Sequence, residues 1–345
     1  MILFHGDVFL LNQERNDIMK RMLSGIKPTG QLTLGNYIGA IKQFITYQEE
    51  YEMIVFIADL HALTLPIDAK ELRKNTKDLI SVYLACGLDP SKVILFKQSD
   101  VHEHAELGYI MACNSYMGEL SRMTQYKDKT SKIKTNDSIP TGIYIYPTLM
   151  AADILLYDAD YIPVGIDQKQ HVELTRDLAI RFNNHYSDTF VVPEPVLAKT
   201  GAKINSLSNP SKKMSKSESE KGTIYLLEDL NITRKKIMSA VTDSENDIRF
   251  DMENKPGISN LLTILSALTK KSVDALVEEY KGCGYGVFKK AVADAVCNEL
   301  EQLQAKVKEI QESGQIDKIL EEGAQKASYL ARKKLSKVYR KVGLN

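Results

Sequence analysis

Residues Met53–Ala58 read M-I-V-F-I-A, an uninterrupted apolar run. A short run of this kind is typical of a β-strand that is buried on both faces, as in a parallel sheet covered by helices. Val93–Phe96 is a second run of the same type, and the sequence predicts further strands at Met22–Ile26, Asp160–Val164 and Thr189–Val192. Helical patterns separate these strands. The alternation predicts an α/β fold with a Rossmann-like, doubly wound parallel sheet.

The helices between the strands are predicted from apolar spacing and from capping residues. Asp68 and Glu71 have the spacing of a capping box, and Gly87 is typical of a helix C-terminus, so a helix should connect them. The other predicted helices of this half of the chain are Gly35–Tyr51, His102–Leu120 and Lys169–Asn183. In a sheet of this type, ligands bind beyond the carboxyl ends of the strands.

Strand signals stop after about Gly222, and only helical patterns follow, at Thr233–Thr242, Ile258–Leu268, Ser272–Tyr280, Phe288–Gln311 and Gln315–Glu322. We therefore predict a Rossmann-type domain over residues 21–222, an all-helical domain over residues 223–322 and a basic C-terminal helix over residues 323–345. Residues 1–20 lack the pattern of a signal peptide. We interpret them as a tag, or as an upstream extension whose natural start is Met19 or Met22, with an ordered extra strand as the alternative.

The final stretch, residues 323–345, contains Lys and Arg residues but no Asp or Glu. Helical spacing relates its small and apolar residues, which are Ala327, Ala331, Leu335, Val338 and Val342. This spacing predicts a helix that packs on one side. The other side is either a solvated basic face or a surface that contacts RNA phosphates.

Composition narrows the class of protein. The 345 residues are enough for two domains, and Lys plus Arg equal Asp plus Glu at 45 each, so any affinity for nucleic acid must come from local patches. The four cysteines form no C-x-x-C pair, which disfavours a zinc or iron–sulfur site and fits free thiols in a reducing cytoplasm. No apolar run reaches membrane-spanning length.

Two loops have the composition of phosphate-binding segments. Ser211–Ser219 reads S-K-K-M-S-K-S-E-S and brings Lys212, Lys213 and Lys216 close together in sequence. Clustered cations and hydroxyls suit a polyphosphate whose charge shifts during a reaction, although a solvated linker has the same composition. Upstream, Ser24–Gly30 joins a strand to a helix with glycines that let backbone N–H groups approach an anion, but it lacks the G-K-[ST] ending of a P-loop.

Two further segments carry candidate ligand groups. Asp153 stands in the apolar helical run Met150–Leu156, where a carboxylate is costly unless it is paired. It is either a capped or partly exposed Asp, or an acceptor for one specific N–H donor inside an apolar pocket. Val164–His171 follows a strand directly, and its Gly-x-Asp-Gln turn can bond ribose hydroxyls and an adenine edge. His61 and His171 lack metal-ligand spacing, so structural histidines are the default interpretation for both.

Together these segments resemble a known family. K-M-S-K-S at 213–217 is identical to the second signature motif of class I aminoacyl-tRNA synthetases, and T-L-G-N at 33–36 is similar to the first. S-G-I-K-P-T-G-x-L-T-L-G-N-Y-I-G-A, M-A-A-D-I-L-L-Y and V-G-x-D-Q-K-Q-H-x-E-L-T-R-D together resemble the tryptophanyl-tRNA synthetases in particular. T-D-S at 242–244 and K-P-G-I-S-N-L-L at 255–262 belong to the same pattern. The resemblance covers residues 22–343.

The resemblance implies a reaction in two steps. L-Tryptophan would be activated by ATP to tryptophanyl-adenylate and then transferred to the 3′-terminal adenosine of tRNA(Trp). ATP would be a substrate, with Mg²⁺ held mostly by its oxygens and by water, and no further metal site is expected. The family is homodimeric, so we expect a cytoplasmic homodimer with tRNA bridging the subunits and no membrane or DNA partner. Residues 223–322 would bind the anticodon.

The resemblance also implies roles for particular residues. The catalytic group would comprise Lys213, Lys216, Lys129, Thr33 and Asn36. The ATP-binding group would comprise Lys27, Pro28, Thr29, Gly35, Asn36, Gly165, Ile166, Asp167, Gln168, Ile204, Lys213, Met214, Ser215, Lys216 and Ser217. The tryptophan-binding group would comprise Asp153, Tyr146, Met150, His61, Ile154, Ile162 and Val164. Asp153 would accept the indole N–H, which tyrosine and phenylalanine cannot present at that point.

Three positions depart from the family pattern. Leu23, Lys27 and Ile166 stand where Phe, Gln and an acidic residue are common, which affects the expected shape of the indole and ATP sites.

Three other functions share parts of the family pattern. A tyrosyl-tRNA synthetase would have the same architecture and loop, but the M-A-A-D stretch argues against it. The helical region and basic tail argue against a small-molecule adenylyltransferase. Both nucleotide loops argue against a non-catalytic RNA-binding paralogue.

Overall fold

The computed structural model describes residues 19–131, 139–165, 168–197, 201–215 and 219–344. Within these residues a parallel sheet has the strand order β3-β2-β1-β4-β5. The strands are β1 (Arg21–Ile26), β2 (Glu52–Ile57), β3 (Val93–Lys97), β4 (Tyr161–Val164) and β5 (Glu194–Leu197). The strand order reverses between β1 and β4, which is where a sheet of this type binds ligands. The predicted doubly wound α/β fold is confirmed.

Strand β2 shows why the sequence predicts burial on both faces. Its side chains alternate between two cores: Ile54 and Phe56 pack on one face of the sheet, and Met53, Val55 and Ile57 pack on the other. All five are almost inaccessible to solvent. Since helices cover both faces, neither set of side chains needs to be polar, and the apolar run has no gap.

The α-helices are α1 (Leu34–Asn36), α2 (Lys42–Thr46), α3 (Asp59–Ala62), α4 (Ala69–Ala85), α5 (Glu103–Cys113), α6 (Met117–Ser121), α7 (Thr124–Thr130), α8 (Thr141–Leu155), α9 (Lys169–His185), α10 (Leu230–Met238), α11 (Pro256–Thr269), α12 (Val273–Glu279), α13 (Tyr285–Glu312) and α14 (Gln315–Val342). A π-helical turn, Tyr37–Ile41, connects α1 to α2. Short 3₁₀ turns occur at Tyr47–Glu49, Gln98–Asp100 and Glu220–Gly222. None of the helices in the described ranges is long and apolar enough to cross a membrane.

The capping residues act at both ends of α4 as predicted, with one difference. Asp68 accepts hydrogen bonds from the backbone N–H groups of Lys70 and Glu71, at 2.9 and 3.0 Å. The Glu71 side chain does not return a bond to the cap; it accepts one from Asn75 at 3.4 Å. Gly87 follows the helix with φ +106°, a conformation that glycine adopts without strain.

The predicted strand Thr189–Val192 is wrong, because the fifth strand lies at Glu194–Leu197. The side chain of Asn183 accepts from the N–H groups of the first two residues of the predicted segment and donates to the carbonyl of Phe190, at 2.9–3.0 Å. The side chain of Asn183, and not a neighbouring strand, therefore satisfies the hydrogen-bonding groups of this backbone. The apolar Phe190 packs against Phe182, with 4.8 Å between ring centroids.

Two predicted helix boundaries also differ from the structure. His102–Leu120 is two helices, α5 and α6, with a break before Tyr116, whose backbone N–H donates to Glu119 at 2.9 Å. The helix predicted at Thr233–Thr242 begins earlier, at Leu230, because Asp229 accepts from the N–H groups at the helix start. Local capping chemistry decides both boundaries.

Helix α14 passes through the boundary that the sequence predicts between residues 322 and 323. Before that point Leu320 packs in the core on one face of the sheet, and after it Ala327 and Ala331 pack in the core on the other face. At the crossing Gly323 lies against β3 so closely that a Cβ there would overlap the carbonyl oxygen of Leu95. The helix thus covers the edge of the sheet, as an exposed edge requires. The division into three domains stays a prediction.

Candidate functional site

A cavity of about 440 Å³ opens at the carboxyl ends of β1 and β4, where the strand order reverses. Leu23 and Phe56 from the sheet form part of its apolar wall, with Pro163 at the end of β4. The cavity is lined by every member of the predicted tryptophan-binding group: Asp153, Tyr146, Met150, His61, Ile154, Ile162 and Val164. Its size and its mixture of apolar walls with few polar groups are typical of small-molecule sites.

Asp153 is the carboxylate on the wall of this cavity. Its side chain is 1% exposed, and its carboxylate is bonded by three N–H groups. Oδ1 accepts from Gln98 Nε2 and His104 Nδ1, both at 2.7 Å, and Oδ2 accepts from His61 Nε2 at 2.8 Å. A carboxylate has about four acceptor positions. Within the described part of the chain, one position therefore remains, on the oxygen that His61 contacts.

Burial of Asp153 by itself would raise the pKa of its carboxyl group. The hydrogen bond from His104 and the charge and hydrogen bond of His61 outweigh burial and lower the pKa to about 2. Asp153 is therefore ionised at neutral pH despite being inaccessible to solvent. An ionised acceptor binds an N–H donor about twice as strongly as a neutral one does.

Gln98 and His104 are functional neighbours that the sequence reasoning missed. Both are fully buried, and His104 also contacts the Tyr157 hydroxyl through Nε2 at 2.7 Å. Gln98 directly follows β3, so the rule that ligand groups follow parallel strands could have identified it. His104 lies inside α5 and carried no comparable signal. Its contact with Asp153 arises because α5 packs against α8.

Three members of the predicted ATP-binding group, Lys27, Gly165 and Gln168, line the same cavity as Asp153. Lys27 Nζ lies 3.3 Å from Thr64 Oγ1, and this hydroxyl donates to the carbonyl of His61 at 2.9 Å. Gln168 closes a turn by donating its backbone N–H to the carbonyl of Gly165 at 3.0 Å. The structure thus brings part of the nucleotide group and the amino-acid group together.

Tyr146 and His171 form a second polar pair beside the cavity. The Tyr146 hydroxyl and His171 Nε2 are 2.7 Å apart, and both residues are buried. Burial raises the pKa of Tyr146, so its hydroxyl keeps its proton at neutral pH. It can therefore act as a hydrogen-bond donor as well as an acceptor. The default interpretation of His171 as a structural histidine agrees with this contact.

The first motif places Thr33 and Asn36 at the start of α1. Asn36 donates its backbone N–H to Thr33 Oγ1 at 3.2 Å, and the N–H and hydroxyl of Thr33 both donate to Asn36 Oδ1 at 3.0 Å. These two side chains thus cap the helix that begins at Leu34. Pro28 is buried and Thr29 half-buried on the preceding turn. The catalytic role of Thr33 and Asn36 stays a prediction.

The described part of the second motif lies against the first. A Cβ at Gly35 would lie 3.5 Å from the Cβ of Met214, whose backbone N–H donates to the carbonyl of Ile204 at 3.0 Å. Ile204 and Met214 are 1% and 2% exposed and form a core beneath the loop. Lys213 is exposed and Ser215 half-buried. The assignment of Ile204 and Met214 to adenine stays a prediction.

Several predicted site residues fall outside the described part of the chain. They are Ile166, Asp167, Lys216, Ser217 and the side chain of Lys129. The backbone of Lys129 belongs to α7, and Gln125 of the same helix lines the cavity. The predicted roles of these site residues remain predictions.

The fold and the cavity define an α/β protein that binds a small ligand at the switch point of a parallel sheet. The chain belongs to the class I tRNA synthetases for tryptophan and tyrosine, the family described as "tRNA synthetases class I (W and Y)", which matches residues 17–301. The resemblance seen in the sequence is thereby confirmed.

Relatives within this family resemble the chain over nearly its full length. It is 52% identical to the tryptophan–tRNA ligase of Bacillus subtilis over 324 residues, which is 94% of this chain and 97% of the relative. It is 51% identical to the tryptophan–tRNA ligase of Caldanaerobacter subterraneus over 327 residues, 94% of this chain and 99% of that one. A tryptophanyl-tRNA synthetase from Campylobacter jejuni, solved with ADP and tryptophan, is 37% identical with a TM-score of 0.84, covering 94% and 100% of the two chains.

Proposed function

We propose that this protein is an enzyme that activates L-tryptophan with ATP and transfers the tryptophanyl group to the 3′-terminal adenosine of tRNA(Trp). The observation that carries the proposal is Asp153, a buried, ionised carboxylate on the wall of a cavity whose other lining is mostly apolar. Three N–H groups leave about one acceptor position for a ligand. The indole N–H is the single polar donor of the tryptophan side chain.

The same geometry gives a physical basis for specificity. A bound phenylalanine would fill the apolar part of the cavity but would present no polar donor to Asp153, and tyrosine would carry its one side-chain donor, the para hydroxyl, at a different point from the indole N–H. An acceptor that loses water without gaining a partner costs about 1–3 kcal/mol, and more when it is charged. That cost corresponds to a preference of about 5-fold to more than 100-fold for tryptophan. Tyrosine activation is the less supported alternative, because the relatives that share half of the sequence are tryptophan–tRNA ligases.

In the first step a carboxylate oxygen of tryptophan attacks the α-phosphorus of ATP. The bond from that phosphorus to the bridging oxygen breaks, and pyrophosphate leaves with the released negative charge. Lys213 and Lys216, together with Lys129, would stabilise this charge. Lys27, Gly165 and Gln168 line the amino-acid cavity, so they would position the reacting ends of both substrates.

Mg²⁺ would assist by neutralising charge on the ATP phosphates. We propose that phosphate oxygens and water hold it for the most part. In the second step the terminal adenosine of tRNA attacks the acyl carbon through its 2′-hydroxyl, and AMP leaves. The helices of residues 223–322 would bind the anticodon.

A homodimer is supported by exposed apolar side chains on neighbouring helices. Tyr109 on α5 is 75% exposed, Met117 on α6 is 73% exposed and Ile145 on α8 is 45% exposed. These helices pack together, and the Tyr144 hydroxyl donates to the Met117 carbonyl at 2.6 Å. Apolar surface of this kind marks association sites. We place the enzyme in the cytoplasm, where its free cysteines would stay reduced.

One experiment tests the proposed reaction directly. ATP–pyrophosphate exchange should depend on tryptophan, with tyrosine giving far slower exchange at equal concentration. Exchange that tyrosine supports better than tryptophan would exclude the proposal and favour the tyrosyl alternative. Exchange with neither amino acid would exclude both. Light scattering of the purified protein tests the dimer separately, with Met117→Asp expected to give monomers.

A further inference from the structure

The second half of α14 carries cations on the side that faces away from the protein core. Each residue of this face lies three or four positions from another member of the set, so they lie on one side of the helix. We call this set the basic stripe; it comprises Lys326, Tyr329, Lys333, Lys337, Arg340 and Lys341. Its members are exposed, apart from the half-buried Lys337. The opposite side of the helix packs in the core through Ala327, Ala331 and Val338.

The charge of the stripe is not balanced locally. Among the residues that the structure describes, the cations of the stripe form no salt bridge, although their neighbours Arg332 and Lys334 pair with Glu103 and Asp158. The first half of the same helix is different, because Lys318 lies 3.9 Å from Glu322 and Asp317 and Glu321 stand nearby. A solvated helix face normally mixes both signs in this way. The whole chain is neutral, so a stretch of 23 residues (323–345) with Lys and Arg but no Asp or Glu is a local excess of positive charge.

A groove runs beside the stripe. It has a volume of about 840 Å³ and lies between α14 and the end of β3. Its lining carries both signs of charge, with Lys97, Arg332 and Lys333 on one hand and Asp100, Asp317 and Glu321 on the other. Lys97 pairs with Asp100 and Arg332 with Glu103, so among the described residues Lys333 is the cation of this lining without a salt bridge. The Tyr329 ring is 69% exposed, with Lys326 one turn before it and Lys333 one turn after it. Proteins that bind unpaired nucleotides combine an exposed aromatic ring with cations that contact the phosphates.

The groove also lies on the same edge of the sheet as the cavity. Lys97 is the last residue of β3, and the cavity lies at the carboxyl ends of β1 and β4. Strands β3 and β1 are two places apart in the sheet, a lateral separation of about 10 Å. The groove therefore opens on the cavity side of the sheet, whereas Lys334, between the stripe residues Lys333 and Lys337, contacts Asp158 and the Thr189 carbonyl on the segments that precede β4 and β5.

We propose that the basic stripe binds phosphates of tRNA and that Tyr329 stacks on an unpaired base. This inference rests on the proposed function, because tRNA(Trp) is the nucleic acid that the reaction requires. It assigns a tRNA contact to the second half of α14, which packs against the sheet, in addition to the anticodon contact expected from residues 223–322. Adenylate formation needs no tRNA, so the stripe should be dispensable for the first step.

The test compares two triple variants of the full-length enzyme. In the stripe variant Lys326, Lys333 and Arg340 are replaced by Ala; in the control variant the exposed lysines Lys70, Lys74 and Lys92 of the sheet domain are replaced by Ala. We expect the stripe variant to raise the KM for tRNA at least tenfold. The slope of log affinity against log salt concentration should fall by about 2–3, since three phosphate contacts are lost. ATP–pyrophosphate exchange should match the wild type in both variants.

Two further variants separate binding from folding. The double variant Lys326→Arg with Lys333→Arg keeps the positive charge and should bind tRNA with the affinity of the wild type. If the stripe variant instead bound tRNA weakly because of a structural defect, keeping the charge at these positions would not be expected to prevent it. Tyr329→Ala should weaken tRNA binding about tenfold with a smaller change in salt slope, because stacking does not release counterions. The inference is wrong if the stripe variant has the same KM for tRNA and the same salt slope as the control. A wild-type enzyme without tryptophan-dependent exchange would instead refute the proposed function.

Discussion

Replacement of Asp153 by Asn tests the role of this carboxylate with a change of minimal size. The wild-type carboxylate accepts three N–H bonds, from Gln98, His104 and His61. An amide has one acceptor oxygen and one donor nitrogen, so at least one of these contacts becomes a donor facing a donor. One unpaired buried group costs about 1–3 kcal/mol of folding free energy. Asp153→Ala would remove all three acceptor contacts and cost more, which makes Asn the better variant.

The effect on tryptophan follows from the same chemistry. Hydrogen bonds to charged groups contribute about 1.5–3 kcal/mol, and those to neutral groups about 0.5–1.5 kcal/mol. If the amide oxygen faces the indole N–H, the loss is about 1–1.5 kcal/mol, or about tenfold in KM. If the amide nitrogen faces it, the loss approaches 3 kcal/mol, or about 150-fold. The KM for ATP should change little, because no contact between ATP and Asp153 is expected.

The assay is ATP–pyrophosphate exchange at varied tryptophan and varied ATP. A matched control is Asp59→Asn, because Asp59 follows the neighbouring strand β2 and bonds Ser99 without lining the cavity. A tryptophan analogue with sulfur in place of the ring N–H provides a second measure. The wild type should discriminate against this analogue, and the Asp153→Asn enzyme should discriminate much less. Equal increases in both KM values, or unchanged discrimination, would refute the indole role of Asp153.

Three other predictions concern the loop, the sheet edge and acid stability. Lys216→Ala should lower kcat for adenylate formation by about 100-fold or more with little change in tryptophan affinity, as expected for a cation that acts mainly in the transition state; unchanged single-turnover adenylate formation would contradict it. Gly323→Ala should destabilise the protein by about 1–3 kcal/mol or more in urea unfolding, because the new methyl group overlaps the Leu95 carbonyl. The control Ala324→Gly should cost only about 1 kcal/mol of helix propensity plus lost contacts. The pKa of Asp153 is lowered to about 2, so the contribution of its carboxylate to the free energy of unfolding is complete above pH 4 and is lost as the pH falls toward 2. This contribution amounts to about 2 kcal/mol, so the stability difference between wild type and Asp153→Asn should shrink over this range. A constant difference would show that the carboxylate is not specially stabilised.

The sequence predicts the sheet well because burial leaves a strong local signal. Strands β1 to β4 lie within one or two residues of their predicted bounds, since a strand covered on both faces must be apolar throughout. The exception is Thr189–Val192, which is β-like in composition but is held by the side chain of Asn183. The true edge strand contains Pro195, and its four residues are exposed or half-buried, so it carries a much weaker signal.

The site shows the same division between local and long-range information. The sequence by itself determined the fold class, the two nucleotide motifs and the singular carboxylate at Asp153, because each depends on residues adjacent in the chain. The tertiary structure alone decided that Gln98, 55 positions away, and His104, 49 positions away, hold that carboxylate. It also decided that α14 crosses the sheet edge at Gly323 and turns a basic face outward. Parallel strands bring their carboxyl ends to one edge through long crossovers, so the partners of a site residue cannot be read from its sequence neighbours.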